Sequence, residues 1–491
     1  MVARKETPAR IVFVASEGVP FSKTGGLADV VGALPRALAA NRHPVTVILP
    51  RYQMTAAARV SLRNLTLPLQ GGLKYADIQE AGKTNGVRHL LVDCPEYFDR
   101  SGLYQMEGVD YPDNAERFAA FCLASIEAMK RQPRAPDVIH CHDWQTALVP
   151  IYLRTLYAGD RFFHNTSVLL TIHNLGYQGI FPPEVLSRIS LRPEMFTVDG
   201  LEYFGKVNLL KGGILYSNAI TTVSKKYSRE IQTSEFGFGL EGVLAGRRER
   251  IHGILNGVDY EEWSPGTDRF IAATYTPQDL TGKQKCKKDL LESMGFRQQD
   301  IKGERPVLGI VSRFAAQKGF DLIAEVADRL LTEDLTLVAL GSGDRTYEKL
   351  FLELARKHPD KVAVKVAYDN ALAHKIEAGA DMFLMPSRYE PCGLNQIYSM
   401  KYGTVPIVRA TGGLDDTVEP FDGTAGTGFK FGPYSGDALM RAVGQALKVY
   451  RQREVWRRVM TNGMAKDFSW AQSARQFSEI YRSLTPQTGD L

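Results

Sequence analysis

The sequence predicts an α/β protein built from two doubly wound, Rossmann-like parallel sheets. Short continuous apolar runs recur along the 491 residues, each followed by a loop and a stretch of helical apolar spacing. Polar and glycine-rich clusters sit at the ends of those runs. A turn-rich segment, Trp263-Ser264-Pro265-Gly266, divides the runs into two groups.

In the first group the runs are Ile11–Ala15, Val45–Leu49, His89–Val92, Asp137–His140, Val168–Ile172, Ala219–Val223 and Ile251–Leu255. In the second they are Val307–Val311, Leu335–Leu340, Val362–Val366, Met382–Met385, Val405–Val408 and Gly428–Phe431. Unalternated apolar runs of this length are what strands covered on both faces of a parallel sheet look like. Between them, Leu27, Val30, Val31, Leu34 and Leu38 recur at helical spacing, as do Phe118, Phe121, Cys122 and Ile126. Alternating strands and helices in two groups imply two sheets. The expected division is an N-terminal domain over 1–258 and a second domain from 259 to 467.

Composition narrows the function classes. With 44% apolar and 23% charged residues the chain reads as an ordinary globular protein, too long for a single core. A net charge of +5 gives no support for nucleic-acid binding. Five scattered cysteines without metal-type spacing fit reduced thiols in a cytoplasmic protein. Arg4 and Lys5 precede the first apolar run, but Ser16 and Glu17 end it too early for a signal peptide. No run approaches a membrane span.

Ligands of open parallel sheets bind outside the carboxyl ends of the strands. There the sequence places Glu17, Lys23-Thr24-Gly25-Gly26, His142-Asp143, His173-Asn174 and Asn256 in the first half. In the second half it places Ser312-Arg313, Lys318, Gly341-Ser342-Gly343-Asp344, Tyr368-Asp369, Arg388, Glu390 and Thr411-Gly412-Gly413. The expectation is a ligand held between the two edges. Glycines that open a helix expose N–H groups at the positive end of its dipole, which favours anions. Gly25-Gly26 and Gly412-Gly413 are read this way. Arg313 and Lys318 on one loop can grip a diphosphate. The alternative is that they are solvated loop charges.

Two motif matches fail on context. Gly237-Phe238-Gly239-Leu240-Glu241-Gly242 fits the dinucleotide glycine pattern but follows the polar stretch Arg229–Phe236, where a strand is required. Gly82-Lys83-Thr84 resembles the end of a P-loop, yet Asp77 stands at its first glycine.

Taken together, several segments resemble the bacterial glycogen synthase and plant starch synthase family. They are Lys23-Thr24-Gly25-Gly26-Leu27-Ala28-Asp29, His142-Asp143-Trp144, Thr171-Ile172-His173-Asn174 and Leu255-Asn256-Gly257-Val258-Asp259. Ser312-Arg313 with Gln317-Lys318-Gly319, Ser387–Leu394 and Thr411-Gly412-Gly413-Leu414 follow in the family's order. The resemblance implies the two-lobed GT-B fold with a central cleft and no metal ion or other cofactor. It also implies a C-terminal helix, over 468–491, that crosses back onto the first domain. By similarity, Lys23, Arg313 and Lys318 hold the nucleotide diphosphate and Tyr368 stacks on the base. Leu394 and Thr411 lie with the nucleotide site. Glu390, His173 and Asn174 surround the transferred glucose, with Glu17, Asp29, Asn256, Cys392 and Gly393 nearby. Asp143 and the Phe236–Gly242 loop border the acceptor. ADP-glucose as donor, an α-1,4-glucan as acceptor and retention of configuration are implied in the same way.

Three positions depart from related patterns. Tyr398 stands where retaining relatives carry a second glutamate, Asn370 replaces an acidic residue, and Asn395 replaces threonine. Glu390 is thereby a lone carboxylate, which argues against a carboxylate dyad. Cys392 is read as a packed thiol, and Lys225-Lys226 and Lys287-Lys288 as solvated helix faces. The competing readings are a GT-B transferase using UDP-glucose or a small acceptor, a phosphorylase, and a non-catalytic glucan-binding protein.

Overall fold

The computed structural model describes residues 8–69, 74–301 and 304–485. The chain forms two compact units. The first runs to Val223, resumes over Ser228–Gly257 and takes in the C-terminal helix from Trp470; the second holds Ser224–Tyr227 and Val258–Ser469.

The first unit is organised on a nine-stranded sheet. Across it the strands run Ile251–Gly253, Ala219–Thr222, Ser167–Ile172, Val138–His142, Ile11–Val14, Val45–Pro50, Val87–Asp93, Lys74–Thr84 and Arg59–Leu67. The first seven pair in parallel, and the last two extend the edge antiparallel. Sequence reading missed these two strands. Arg59–Leu67 is mostly exposed or half-buried, so no continuous apolar run marks it. Lys74–Thr84 also places Gly82-Lys83-Thr84 in a hairpin arm, which is not P-loop geometry. The core joins Ile11, Phe13, Val31, Leu34 and Leu38 to Trp470, Ala474, Phe477 and Tyr481 of the helix Trp470–Leu484. Those four aromatic and small residues recur at helical spacing and supply the stripe this helix buries.

The second unit carries a six-stranded, all-parallel sheet in the order Val362–Val366, Thr336–Gly341, Val307–Val311, Met382–Met385, Val405–Arg409, Phe429–Phe431. In chain order that is 3-2-1-4-5-6, the doubly wound arrangement. Leu308, Ile310, Leu337, Phe351, Leu384 and Ile407 fill its core. Lys287 corrects the reading of its helix as a solvated face. Its ammonium is buried and donates to Asp381 at 2.7 Å and to the Arg305 carbonyl at 2.8 Å. Asp381 in turn accepts the Val307 N–H, so the pair fastens a helix to the start of a central strand. Its neighbour Lys288 stays exposed.

Candidate active site

On the first unit, Glu17 follows the strand Ile11–Val14 and is buried. Its carboxylate accepts the Thr24 N–H at 2.5 Å and the Thr24 hydroxyl at 2.8 Å, which shapes the turn into the helix Gly26–Ala40. Burial pushes Glu17 up to about 7, against the Thr24 bonds; Asp29 adds to the rise and Lys23 opposes it. Lys23 Nζ donates to Asp29 Oδ1 at 2.7 Å, and both side chains reach solvent. The helix begins without a side-chain cap. A methyl added at Gly26 would meet no atom within 4 Å, so packing inside the chain does not demand glycine there. The first turn is open to an outside group.

Two further strands deliver the histidines. His140 and His142 alternate along Val138–His142, and His173 follows Ser167–Ile172. His142 Nδ1 lies 3.0 Å from His173 Nε2. The other nitrogen of His142, Nε2, is buried and has no partner among the described residues. An orphaned buried N–H costs more than an orphaned lone pair. The shared proton therefore belongs on His142 Nδ1, and His173 carries its own on Nδ1. Burial holds His142 well below the usual imidazole range and brings His173 down to about 3, so both are neutral at pH 7. His140 is bonded to Thr171 Oγ1 at 2.6 Å and to the Tyr481 hydroxyl at 2.8 Å. Sequence reading found no partner for His173. The alternation in His140-Cys141-His142 was the available signal, since it puts both rings on one face of the strand.

Asp143 sits at φ +56°, left-handed for a non-glycine residue. Its Oδ1 accepts the His173 N–H at 2.7 Å. Burial lifts Asp143 to about 7, opposed by the His173 and Asn174 N–H groups and reinforced by Glu17. It clamps the end of one strand to the end of the next. The Asn174 oxygen accepts the Gly176 N–H at 2.9 Å. Asn256 is buried beyond the strand Ile251–Gly253. The Phe236–Gly242 loop is a turn leading into the helix Glu241–Ala245, with a helix, Lys225–Glu230, ahead of it.

On the second unit, Lys318 and Glu390 come together. Lys318 Nζ donates to Glu390 Oε2 at 2.6 Å, and Ser387 Oγ lies 3.1 Å from the same oxygen. Glu390 is 5% exposed. Arg313 lies on the loop that ends in Lys318, exposed, with Nη2 3.2 Å from Gln317 Oε1. The Arg388 N–H donates to the Gln317 carbonyl at 2.8 Å, which seats the Ser387–Glu390 loop on the Arg313–Lys318 loop. Gly319, at φ +80°, allows this: a Cβ there would stand 2.1 Å from the Pro386 carbonyl oxygen.

The Gly412-Gly413 reading needs correction. The Gly413 N–H donates to the Glu390 carbonyl at 3.0 Å, so it is not offered to an anion. A Cβ at Gly412 or Gly413 would fall 1.9 Å from the Glu390 or Cys392 carbonyl oxygen. These glycines let the Glu390–Cys392 loop lie against the helix Gly412–Thr417, and buried Thr411 precedes them. Gly341 and Gly343 are spent in the same way, packed against Ser312 and Phe314. Gly393, left-handed at φ +68°, and Leu394 lead into the helix Asn395–Lys401. Asn395 Nδ2 donates to the Val311 carbonyl at 2.7 Å, so this departure is a structural tie. Tyr398 stacks on Trp263 with centroids 4.1 Å apart, and Cys392 is buried. Asn370 begins the helix Asn370–Gly379, which Asp369 caps. Tyr368, 85% exposed, gives nothing to the core.

Two parallel α/β units, one presenting a guanidinium and a paired ammonium at its strand ends, define a glycosyltransferase of the GT-B class. Residues 10–246 match the family described as starch synthase catalytic domain, and residues 295–460 match glycosyl transferases group 1. The glycogen synthase of Koribacter versatilis is 55% identical over 96% of this chain and 97% of its own length. That of Thermotoga petrophila is 43% identical over 98% of this chain and all of its own length. The catalytic domain of starch synthase IV from Arabidopsis thaliana, bound to ADP and acarbose, superposes with a TM-score of 0.87. It is 33% identical, covering 97% of this chain and 99% of that one. The chain belongs to the glycogen and starch synthase family, and its work is glycosyl transfer in glycogen synthesis. A sucrose-phosphate synthase from Thermosynechococcus elongatus, 18% identical with a TM-score of 0.59, shares the fold. No helix among the described residues is long and apolar enough to cross a membrane.

Proposed function

We propose that this protein transfers glucose from ADP-glucose to the non-reducing end of an α-1,4-glucan, with retention of configuration, in the cytoplasm. The observation that carries the reading is the loop pair of the second unit. There Arg313 is exposed, and Lys318 is poised on a buried Glu390. Departure of ADP from the anomeric carbon builds negative charge on phosphate and positive charge on the sugar. Preorganised cations aimed at the phosphate are the largest help a protein can give to such a step. A diphosphate is met by Arg313 and Lys318 of the second unit. On the first unit, taken by itself, Lys23 and the open first turn at Gly26 suit an anion. Tyr368 is free of any packing duty and suits stacking on adenine. The starch synthase IV catalytic domain, solved with ADP, supports a nucleoside diphosphate here.

Glu390 is the lone carboxylate of its loop, because the position of a second is filled by Tyr398 in an aromatic stack. We therefore assign Glu390 to sugar hydroxyls and to Lys318. The acceptor hydroxyl attacks from the face the phosphate leaves and gives its proton to the departing phosphate oxygen as the C–O bond to phosphate breaks, which retains configuration without a covalent intermediate. His173 offers Nδ1–H as a neutral donor that orients the sugar. The charge of the leaving group is met by side chains, so the reading calls for no resident cofactor.

The test is incorporation of labelled glucose into glycogen from ADP-glucose and UDP-glucose in parallel. The new bond is then assigned by the coupling of its anomeric proton. The expected result is higher kcat/KM with ADP-glucose and an α bond. Preference for UDP-glucose, or a β bond, refutes the donor or the stereochemistry respectively.

A further inference from the structure

Two Phe-Gly turns on the first unit break the rule for their conformation. In the hairpin joining Glu202–Tyr203 to Lys206–Asn208, Phe204 has φ +47° and Gly205 φ +76°. Ahead of the helix Glu241–Ala245, Phe238 has φ +48° and Gly239 φ +78°. Consecutive left-handed residues favour Asn-Gly or Asp-Gly, and a bulky side chain at the first position is strained. Burial does not offset that strain: Phe204 is 79% exposed and Phe238 40%.

The turns are fastened to each other and to the His173 loop. Tyr203 OH donates to the Phe238 carbonyl at 2.6 Å. A Cβ on Gly239 would stand 3.1 Å from Phe204 Cε2, so the Phe204 ring lies against the second turn. Gln178 Nε2 donates to the same Phe238 carbonyl at 3.1 Å, and Gln178 Oε1 accepts from Asn208 at 2.6 Å. Gln178 closes the loop that begins at His173-Asn174, and Tyr177 beside it is exposed. Strain held by surrounding bonds, with the strained side chain facing solvent, marks a functional position.

We propose that Phe204 and Phe238 form an aromatic platform that stacks on glucose rings of the α-glucan beyond the residue that reacts. This rests on the acceptor reading above and deepens it. A pyranose presents an apolar C–H face rimmed by hydroxyls. Here the two rings stand among exposed Gly205, Lys206, Ser234 and Glu235, with Tyr203 edge-on to Phe204 at 4.7 Å between centroids. Gln178 ties the platform to the loop that begins at His173, which the proposed function sets beside the reacting sugar.

Phe204→Asn and Phe238→Asn remove the rings while suiting the left-handed turns. Binding of maltoheptaose by calorimetry, and retardation in a native gel containing glycogen, are read without any donor. The platform predicts that each variant weakens maltoheptaose binding by about fivefold or more and loses retardation. Tm is then unchanged or raised, and ADP affinity is unchanged. Glucan binding within about twofold of wild type in both variants overturns the proposal. So does a fall of several degrees in Tm with loss of ADP affinity, which makes the rings structural. Failure of the acceptor reading is separate: wild-type protein would transfer no glucose to glycogen.

Discussion

Lys318 and Glu390 hold each other, so substituting either has two consequences. Glu390→Ala frees Lys318 and removes the contact assigned to the sugar. One transition-state contact of this kind is worth about 3 kcal/mol, so kcat is expected to fall about a hundredfold. Circular dichroism checks that the fold is retained, and near-normal turnover would remove Glu390 from the site. His142 acts through another residue. His142→Ala should lower kcat about tenfold with little change in KM for ADP-glucose, the scale of one buried hydrogen bond. His142→Asn, whose amide can donate where Nδ1 does, should restore most of the loss; equal defects in both variants would refute the tautomer assignment. Glu17 makes a pH prediction. Its folded form keeps the proton more tightly than the unfolded chain, lifted from 4.5 to about 7. Its contribution to stability is therefore complete below about pH 4.5 and is lost as pH rises through about 7. Glu17→Gln should flatten the fall in Tm between about pH 5 and 8, because the amide still accepts the Thr24 N–H without titrating. A decline as steep as in wild type would show that Glu17 is already ionised when folded.

At the level of elements, the buried parallel strands were legible because both faces are covered, which writes an uninterrupted apolar run into the chain. Val307–Val311, Val362–Val366 and Met382–Met385 were read with the same ends the structure has. Arg59–Leu67 and Lys74–Thr84 were not read, because an edge pair half open to solvent shows no such run. Site residues were legible in part. Lys318 and Glu390 were expected and meet, but their pairing across two loops is a tertiary fact that local spacing does not encode. Gly412-Gly413 misled, since a glycine pair serves a close carbonyl as well as a phosphate, and only the packed neighbour distinguishes them. Trp470–Leu484 shows how an element far along the chain completes an early core. Trp470 packs on Gly257, where a Cβ would lie 2.6 Å from the indole, and Tyr481 bonds His140. Trp470→Ala should therefore destabilise the first unit by about 3–5 kcal/mol, read as a lowered denaturation midpoint. A loss below about 1 kcal/mol would show that the helix is only loosely docked.

Arg313 and Lys318 lie on one unit and the aromatic turns on the other, with Lys23 on the same unit as the turns. Exposed Arg313, paired Lys318 and Tyr368 belong to the second unit; Phe204, Phe238 and the histidines belong to the first. The two substrates should then leave separable footprints. A ligand at about a hundred times its Kd stabilises the state it binds by about 2.7 kcal/mol, and local opening there slows accordingly. Hydrogen exchange is the measurement that resolves this by segment. ADP alone should slow exchange in peptides covering Arg313–Gly319 and Ser387–Leu394. Maltoheptaose alone should slow those covering Tyr177–Gln178, Tyr203–Lys206 and Phe236–Leu240. Arg313→Ala, by removing a charge-assisted contact, should weaken ADP binding about tenfold and abolish the first footprint at the same ADP concentration, leaving the second intact. Phe204→Asn should do the converse. If ADP protects the aromatic turns as strongly as the Arg313 loop, the two sets of groups do not serve separate substrates, and the assignment of acceptor to the first unit and nucleotide to the second fails.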